Sequence, residues 1–236
     1  MFNNVPEYMN ILCNKIYQSK TLSDIFADDR IVNIESMFSY NEITKDLLRD
    51  ISKNAHVLQI GLTFGNRIEK IYEKVCKKGK LDIFDISKLQ IQLAQDKYKH
   101  FNIAISDYNA AIEWDEKYDV IICQNLLKEV PIITRKRIIK NILNGLTKGG
   151  KAIFIDTHRP SWWHPFKWFI FLKNRLYYPF AESLWNQQLK DFSDDKDAYR
   201  WYYKFYRGKA IQKVIATKKI LSSDDVKKLT KLFKNK

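Results

Sequence analysis

Residues that break structure are scarce in this chain, and so are residues that staple it. Only 7 glycines and 5 prolines occur in 236 residues, which argues against long disordered linkers. No internal repeat and no low-complexity segment is visible. The three cysteines, Cys13, Cys76 and Cys123, lie far apart and form no CxxC pair. An odd count without a signal peptide suggests reduced thiols in an intracellular compartment. Cys76 and Cys123 sit in apolar periodic stretches, where core packing is the expectation. The first residues, MFNNVPEYMNILCNK, lack a basic segment followed by an apolar one, and lack the Arg-rich, acid-poor character of an organelle presequence. No apolar run reaches the roughly 18 residues of a membrane span. The nearest, Trp162 to Leu172, is interrupted by His164, Pro165 and Lys167.

What is present is a large apolar fraction, 45%, enough for the core of one α/β domain with additions. A formal net charge of +14, mostly Lys spread along the chain, favours anionic partners such as nucleic acid or an anionic membrane surface. Abundant Lys, Asn and Ile is also what an AT-rich genome produces.

Apolar periodicity predicts helices over 3–26 and 34–51. Short apolar runs then predict buried parallel strands at 56–60, 80–85, 101–105, 118–123 and 151–155, with helices at 68–75, 89–98 and 132–146 between them. In the last helix Ile138, Ile139, Ile142, Leu143 and Leu146 share one face, with Arg135, Lys136 and Lys140 largely opposite. Gly149–Gly150 reads as a turn. Residues 161–192 are aromatic, basic and read as largely helical. Residues 200–206 and 210–217 alternate around Arg207–Gly208 as a closing hairpin. Ser222 opens a Lys-rich amphipathic helix. A doubly wound parallel sheet finished by an antiparallel hairpin is the Rossmann-like arrangement of class I S-adenosylmethionine (SAM) methyltransferases.

In such sheets ligands bind beyond the carboxyl ends of the strands. The first loop, Gln59-Ile-Gly61-Leu-Thr63-Phe-Gly65, resembles the class I SAM motif, an acid followed by glycines at alternate positions. Gly61 and Gly65 match; Gln59 stands for the acid and Thr63 for the middle glycine. Asp85 ends the second strand, where an acid accepts ribose hydroxyls or caps the next helix. Asp107 follows the third strand, at the position that contacts adenine in that family or caps a turn. With Ile86 and Gln124 these form the expected SAM-binding set.

Three later stretches are more specific: Asp156-Thr-His158-Arg159-Pro160-Ser-Trp162-Trp163-His164-Pro165, then Pro179-Phe180-Ala181-Glu-Ser-Leu184-Trp185, then Lys204-Phe-Tyr206-Arg-Gly208 followed by Gln212-Lys213-Val214. In this order they resemble RquA, the rhodoquinone-biosynthesis family, over roughly residues 55–217. The resemblance implies conversion of ubiquinone to rhodoquinone: a methoxy group is replaced by an amino group, with SAM as nitrogen donor and Mn²⁺ assisting. It implies an intracellular protein, peripheral at a quinone-containing membrane, bacterial or mitochondrial.

Within that reading His158, His164, Arg159 and Glu129 are the candidate catalytic residues, and His158, His164 and Asp156 the candidate metal ligands, since manganese takes oxygen and imidazole. His158 also reads as a structural histidine, and Arg159 as an ordinary salt-bridge partner. A neutral Gln59 in place of the acid either leaves the SAM amine free to act as a nucleophile or is neutral change. The aromatic and basic run from Trp162 to Tyr178 reads as a membrane-interface helix or as a buried lid. The expected organisation is an N-terminal helical extension (1–52), a SAM-binding domain (53–217) carrying an insertion (158–192), and a C-terminal helix (218–236). The main alternative is an ordinary SAM methyltransferase of a quinone or lipid. An RNA methyltransferase is disfavoured, because the sequence shows no added RNA-binding module and no basic stripe, so no nucleic-acid partner is expected. A membrane-binding protein with a decayed cofactor site conflicts with the retained Gly61, Gly65, Asp85 and Asp107.

Overall fold

A computed structural model of the chain describes residues 17–27, 31, 32, 34, 36 and 38–220, except 64, 76, 77 and 179. The expected helix over 222–236, Cys13, Cys76 and most of the expected helix over 3–26 lie outside the described residues. The N-terminal part that is described contains α1 (Lys20–Ala27) and α2 (Tyr40–Asp50).

The strands are β1 (His56–Ile60), β2 (Lys80–Asp85), β3 (Ile103–Asp107), β4 (Tyr118–Gln124), β5 (Leu146–Thr157), β6 (Tyr199–Tyr206) and β7 (Ile211–Lys218). They form one sheet in the order β3-β2-β1-β4-β5-β7-β6. The first five are parallel, and β7 returns antiparallel to both β5 and β6. The strand order reverses between β1 and β4, which makes the space beyond their carboxyl ends the natural ligand crevice.

Helices α3 (Arg67–Val75), α4 (Lys88–Lys97) and α5 (Ile132–Asn144) complete the crossovers. Because alternate strand residues face opposite sides, β1 sends Leu58 and Ile60 to one core and Val57 to the other. Leu58, Ile121 and Phe154 pack with Ile138, Ile139 and Ile142 of α5. Val57, Ile122 and Ile153 pack with Ile43 and Leu47 of α2 and with Ile68 and Ile71 of α3. The mainly apolar character of β1 and β4 follows from this burial on both faces.

Several boundaries differ from the sequence expectation for identifiable reasons. The helix expected over 34–51 has its continuous run only from Tyr40, because Phe38 takes a positive φ of 60° and Ser39 is non-helical. The third strand starts at Ile103, because Phe101 instead hydrogen-bonds back to Tyr98 O and packs edge-on against Tyr72. Gly149–Gly150 is not a turn ahead of the fifth strand but an irregularity inside it. The register jumps from Tyr118–Leu146 to Val120–Lys151, and Gly149 absorbs the kink at φ 78°. The 161–192 region is only partly helical, with α6 (Lys167–Tyr177), α7 (Ala181–Trp185) and a 3₁₀ turn over Leu189–Phe192.

Arg135 corrects the helical-face reading outright. It is fully buried, not solvent-facing. Its guanidinium donates to the carbonyls of Leu127, Val130 and Phe180 and to the side chains of Gln187 and Ser183. One side chain thus ties the turn after β4 to the inserted segment. On the other side of the site, α2 is latched to the closing hairpin. Tyr206 donates to Asp46 at 2.9 Å, Lys213 donates to the Asp46 carbonyl at 2.9 Å, and Lys204 and Lys213 pair with Asp46 and Asp50.

Candidate functional site

At the carboxyl edge of the sheet, Gly61 N donates to Phe84 O at 2.8 Å, which fixes the turn out of β1 against β2. Gly61 holds φ 81°, and a Cβ placed there would meet nothing within 4 Å, so the backbone borders open space into which a ligand fits closely. Gly65 is also left-handed, at φ 83°. Gln59 is completely buried; its amide nitrogen donates to the carbonyls of Ile60 and Gly61. Its Oε1, Thr63 Oγ1 and Gln124 Oε1 are buried without hydrogen-bond partners. Buried polar atoms normally find partners, and three orphans along one strand edge mark a place for a polar ligand.

Asp85 Oδ2 accepts from Leu62 N at 2.7 Å and Oδ1 from Ser87 N at 2.8 Å. Burial pushes its carboxyl upward, against the N–H groups of Leu62, Ser87 and Ile86 that favour the charge. Asp107 stands opposite Asp85 in the strand register and is exposed. The fold therefore brings Gln59, Gly61, Thr63, Gly65, Asp85, Ile86, Asp107 and Gln124 to one edge.

Glu129 lies in the 3₁₀ turn after β4 (Leu127–Glu129). It is buried, and its carboxyl is pushed up to about 7 by that burial, with Asp156 and Asp85 adding to the effect and Lys128 and Tyr17 opposing it. Tyr17 donates to Glu129 at 3.2 Å, Ser87 Oγ donates to Tyr17 O at 3.0 Å, and Gln90 donates to Ser23 at 2.6 Å. Residues 17–27 thus bridge the turns after β2 and β4 across the mouth, a contact with no signal in the local sequence.

A cavity of about 510 Å³ adjoins this edge. Its walls include Gln124 and Asn125 from the end of β4, Thr157 from β5, Arg67 from the start of α3, and Ala210 from the hairpin. Trp163, His164, Phe166, Phe169 and Ile170 of the inserted segment close it. His164 is buried, and its Nδ1 accepts from Phe166 N at 3.2 Å. Gly208 supports it: a Cβ there would lie 2.8 Å from the imidazole.

His158, Arg159, Asp156 and Glu129 do not line this cavity. His158 packs on Phe205, and its Nδ1 lies 3.0 Å from the carbonyls of both Arg159 and Lys209. Two acceptors place the proton on Nδ1 and leave Nε2 with its lone pair. Burial lowers the pKa of His158, which favours its neutral form, against the carbonyls of Arg159 and Lys209. Arg159 is exposed.

The three expected metal ligands are not brought together. Asp156 is spent on backbone: Oδ2 accepts from Leu127 N and Lys128 N, and Oδ1 from Thr157 N. Among the described residues the His/Cys/Asp/Glu grouping with metal-ligand spacing is His56, Asp82 and Glu116, near the amino-terminal ends of the strands. There Lys80 already pairs with both carboxylates. The donor set His158, His164 and Asp156 therefore does not fit a manganese ion.

The methyltransferase-domain family model matches residues 57–150, less than half of the chain. No curated protein matches the chain. Among solved structures, the N-methyltransferase NodS from Bradyrhizobium japonicum WM9 superposes with a TM-score of 0.54 at 15% identity, covering 76% of this chain and 96% of its own. An O-methyltransferase family protein from Burkholderia thailandensis gives 0.63 at 10% identity, covering 86% of this chain and 61% of its own. TehB from Haemophilus influenzae gives 0.55 at 18%, covering 77% and 66%. NodS has also been solved with S-adenosyl-L-homocysteine bound. At these identities the likeness is one of fold: the chain has the class I SAM methyltransferase fold.

The elevated Glu129 carboxyl makes a stability prediction. The fold favours its neutral form, so that contribution is complete below the ordinary value of 4.5 and is lost as pH rises through about 7. Glu129→Gln should melt close to wild type near the acid end of that window. It should melt above wild type on the alkaline side, by the equivalent of a few kcal/mol at most, since each tenfold change in acidity corresponds to about 1.4 kcal/mol. Melting curves across this range check the sign; a variant that gains nothing above neutrality contradicts the assignment.

Proposed function

We propose that the chain binds SAM across the carboxyl ends of β1, β2 and β4 and aminates a membrane quinone held in the adjoining cavity, converting ubiquinone to rhodoquinone. The observation that carries this reading is the pairing of an acid-free first loop with an aromatic cavity that shares Gln124 with the ligand edge. The orphaned oxygens of Gln59, Thr63 and Gln124 and the open space at Gly61 fit the group; Asp85 and Asp107 suit its ribose and adenine.

SAM held there would supply the nitrogen: its α-amino group would add to the ring and expel methoxide, which leaves with a proton as methanol. The Cα–N bond would then break as the Cα–H electron pair passes into the quinone ring and water hydrolyses the resulting imine, giving the amino-quinol, which reoxidises to the quinone, and an α-keto acid. The chain's task is to hold that amine neutral and close to the ring. A carboxylate at position 59 would stabilise the ammonium form; the Gln59 amide oxygen accepts an N–H without that charge. Ring and tail find apolar walls in Phe166, Phe169 and Ile170.

A second reading, methyl transfer to a quinone or lipid hydroxyl, is favoured by the family match. Mass spectrometry of ubiquinone incubated with the protein and SAM, with and without Mn²⁺, separates the two. The proposal expects a product in which one OCH₃ is replaced by NH₂, and expects Gln59→Glu to lower its yield at least about tenfold, the effect of about 1.4 kcal/mol. A methylated product, or undiminished amination by Gln59→Glu, contradicts it.

The partner surface belongs to the same proposal. Trp162 and Trp168 are 85% and 83% exposed, and Leu172 and Leu176 are exposed beside them. Trp163, Phe166 and Phe169 are exposed and also line the cavity, so one wall of the cavity is an outward aromatic face. Lys167, Lys173 and Arg175 flank it. No helix among the described residues is long and apolar enough to cross a membrane. The proposed location is peripheral, with α6 at the headgroup level of an anionic quinone-containing membrane. The double variant Trp162→Ser, Trp168→Ser should keep its fold and lose co-sedimentation with phosphatidylglycerol-containing vesicles; unchanged sedimentation contradicts this.

A further inference from the structure

Arg67 is the first residue of α3, directly after the glycine loop, and it is 1% exposed. Its Nε donates to Thr44 Oγ1 at 2.9 Å, Nη2 to Tyr40 O at 3.4 Å, and the guanidinium lies 4.4 Å over the Tyr40 ring. These contacts orient the group without neutralising it. No carboxylate pairs with it among the described residues, and its Nη1 is buried with no hydrogen-bond partner. A buried guanidinium without a counter-charge costs several kcal/mol, and such charges are normally paired. Arg135, equally buried, shows the satisfied case: its donors meet carbonyl and side-chain oxygens.

The surroundings point the same way. Arg67 lines the cavity, together with Lys128, Lys173 and Arg207, and among the described residues its lining contains no Asp or Glu. Gln124, in the same lining, keeps an unpartnered buried oxygen able to accept an N–H. A lone donor on a fixed cation, in a cavity whose described charged residues are all cationic, matches an anionic oxygen.

We infer that Arg67 is the anchor of a carboxylate-binding site in the cavity, filled either by the amino-acid end of the SAM donor or by an acid group on the acceptor. The inference rests on the proposed function for the identity of the first source only. Burial lowers the Arg67 pKa to about 10, still fully protonated at neutral pH, so the site offers a permanent charge. Lys at this position keeps the charge but loses the planar fork that reaches Tyr40, Thr44 and a ligand together.

Calorimetric titration of the full chain with S-adenosylhomocysteine, with methylthioadenosine (which lacks the amino-acid end) and with 4-hydroxybenzoate tests this on wild type, Arg67→Met and Arg67→Lys. If the donor's carboxylate is the ligand, Arg67→Met binds S-adenosylhomocysteine at least about tenfold more weakly, as expected for loss of a charged hydrogen bond. Methylthioadenosine affinity then stays unchanged, and Arg67→Lys recovers part of the loss. If the acceptor's acid is the ligand, S-adenosylhomocysteine binds all three alike, and 4-hydroxybenzoate binding is lost in Arg67→Met. Wild-type affinity of Arg67→Met for both overturns the site. A wild type that binds 4-hydroxybenzoate through Arg67 but no adenosyl ligand leaves the anion site standing and overturns the SAM reading. Removing an uncompensated buried charge favours a folded Arg67→Met; should it fail to fold, Arg67→Lys carries the comparison.

Discussion

The buried carboxylate of Asp156 sets the geometry of the mouth. At the end of β5 it accepts three backbone N–H groups, two from the turn after β4 and one from Thr157. Carboxylates held this way act as rigid brackets, because each charge-assisted bond fixes a direction as well as a distance. Arg135 grips the same turn from below through the carbonyls of Leu127 and Val130, and extends the grip to Phe180 in the inserted segment. Locked between these groups, the turn delivers Lys128 to the cavity, with its ammonium 4.0 Å over the Tyr178 ring, and Glu129 to Tyr17. The doubly wound sheet positions the ligand edge; this bracket positions the part that is particular to the chain.

Charge is distributed across the site in a way that follows from the same arrangement. Asp156 and Glu129 are buried behind the ligand edge and Asp85 is half-buried on it, and burial raises all three carboxyls. The cations Arg67, Lys128, Lys173 and Arg207 face the cavity. An electron-rich guest such as a quinone carbonyl or a carboxylate meets donors, and the negative charge that would hold an amine as ammonium is kept out of the first loop by Gln59. In the proposed function, the aromatic wall shared between cavity and solvent would give a lipid-borne ring a hydrophobic route without a membrane-spanning helix among the described residues.

The parallel core is legible in the sequence because strands buried on both faces read as short, mainly apolar runs, as in His56–Ile60 and Tyr118–Cys123, and because the glycines at 61 and 65 punctuate the first turn. The hairpin is legible from its alternation around Arg207–Gly208. What escapes are contacts whose partners lie far away in the chain. A helical wheel puts Arg135 with Lys136 and Lys140, and nothing local announces that Phe180, Ser183 and Gln187 will fold over it. Tyr17 meets Glu129 across more than a hundred residues of separation, and Arg67 looks like an ordinary first-turn cation. The Asp156–His158–His164 run suggests a metal site from proximity in sequence, yet strand pleat and the turn at Ser161 send the three side chains to backbone, to Phe205 and to the cavity wall. An orphaned buried oxygen such as that of Gln59 is a property of packing, and no motif encodes it.

The central claim is that nitrogen, not a methyl group, leaves the donor in this site. Incubating the protein and ubiquinone with SAM labelled by heavy nitrogen at the α-amino group and by heavy carbon at the methyl group tests it in one spectrum. The account predicts a quinone product carrying the heavy nitrogen and no heavy carbon. A product carrying the labelled methyl and no labelled nitrogen would contradict it and assign the site to methyl transfer.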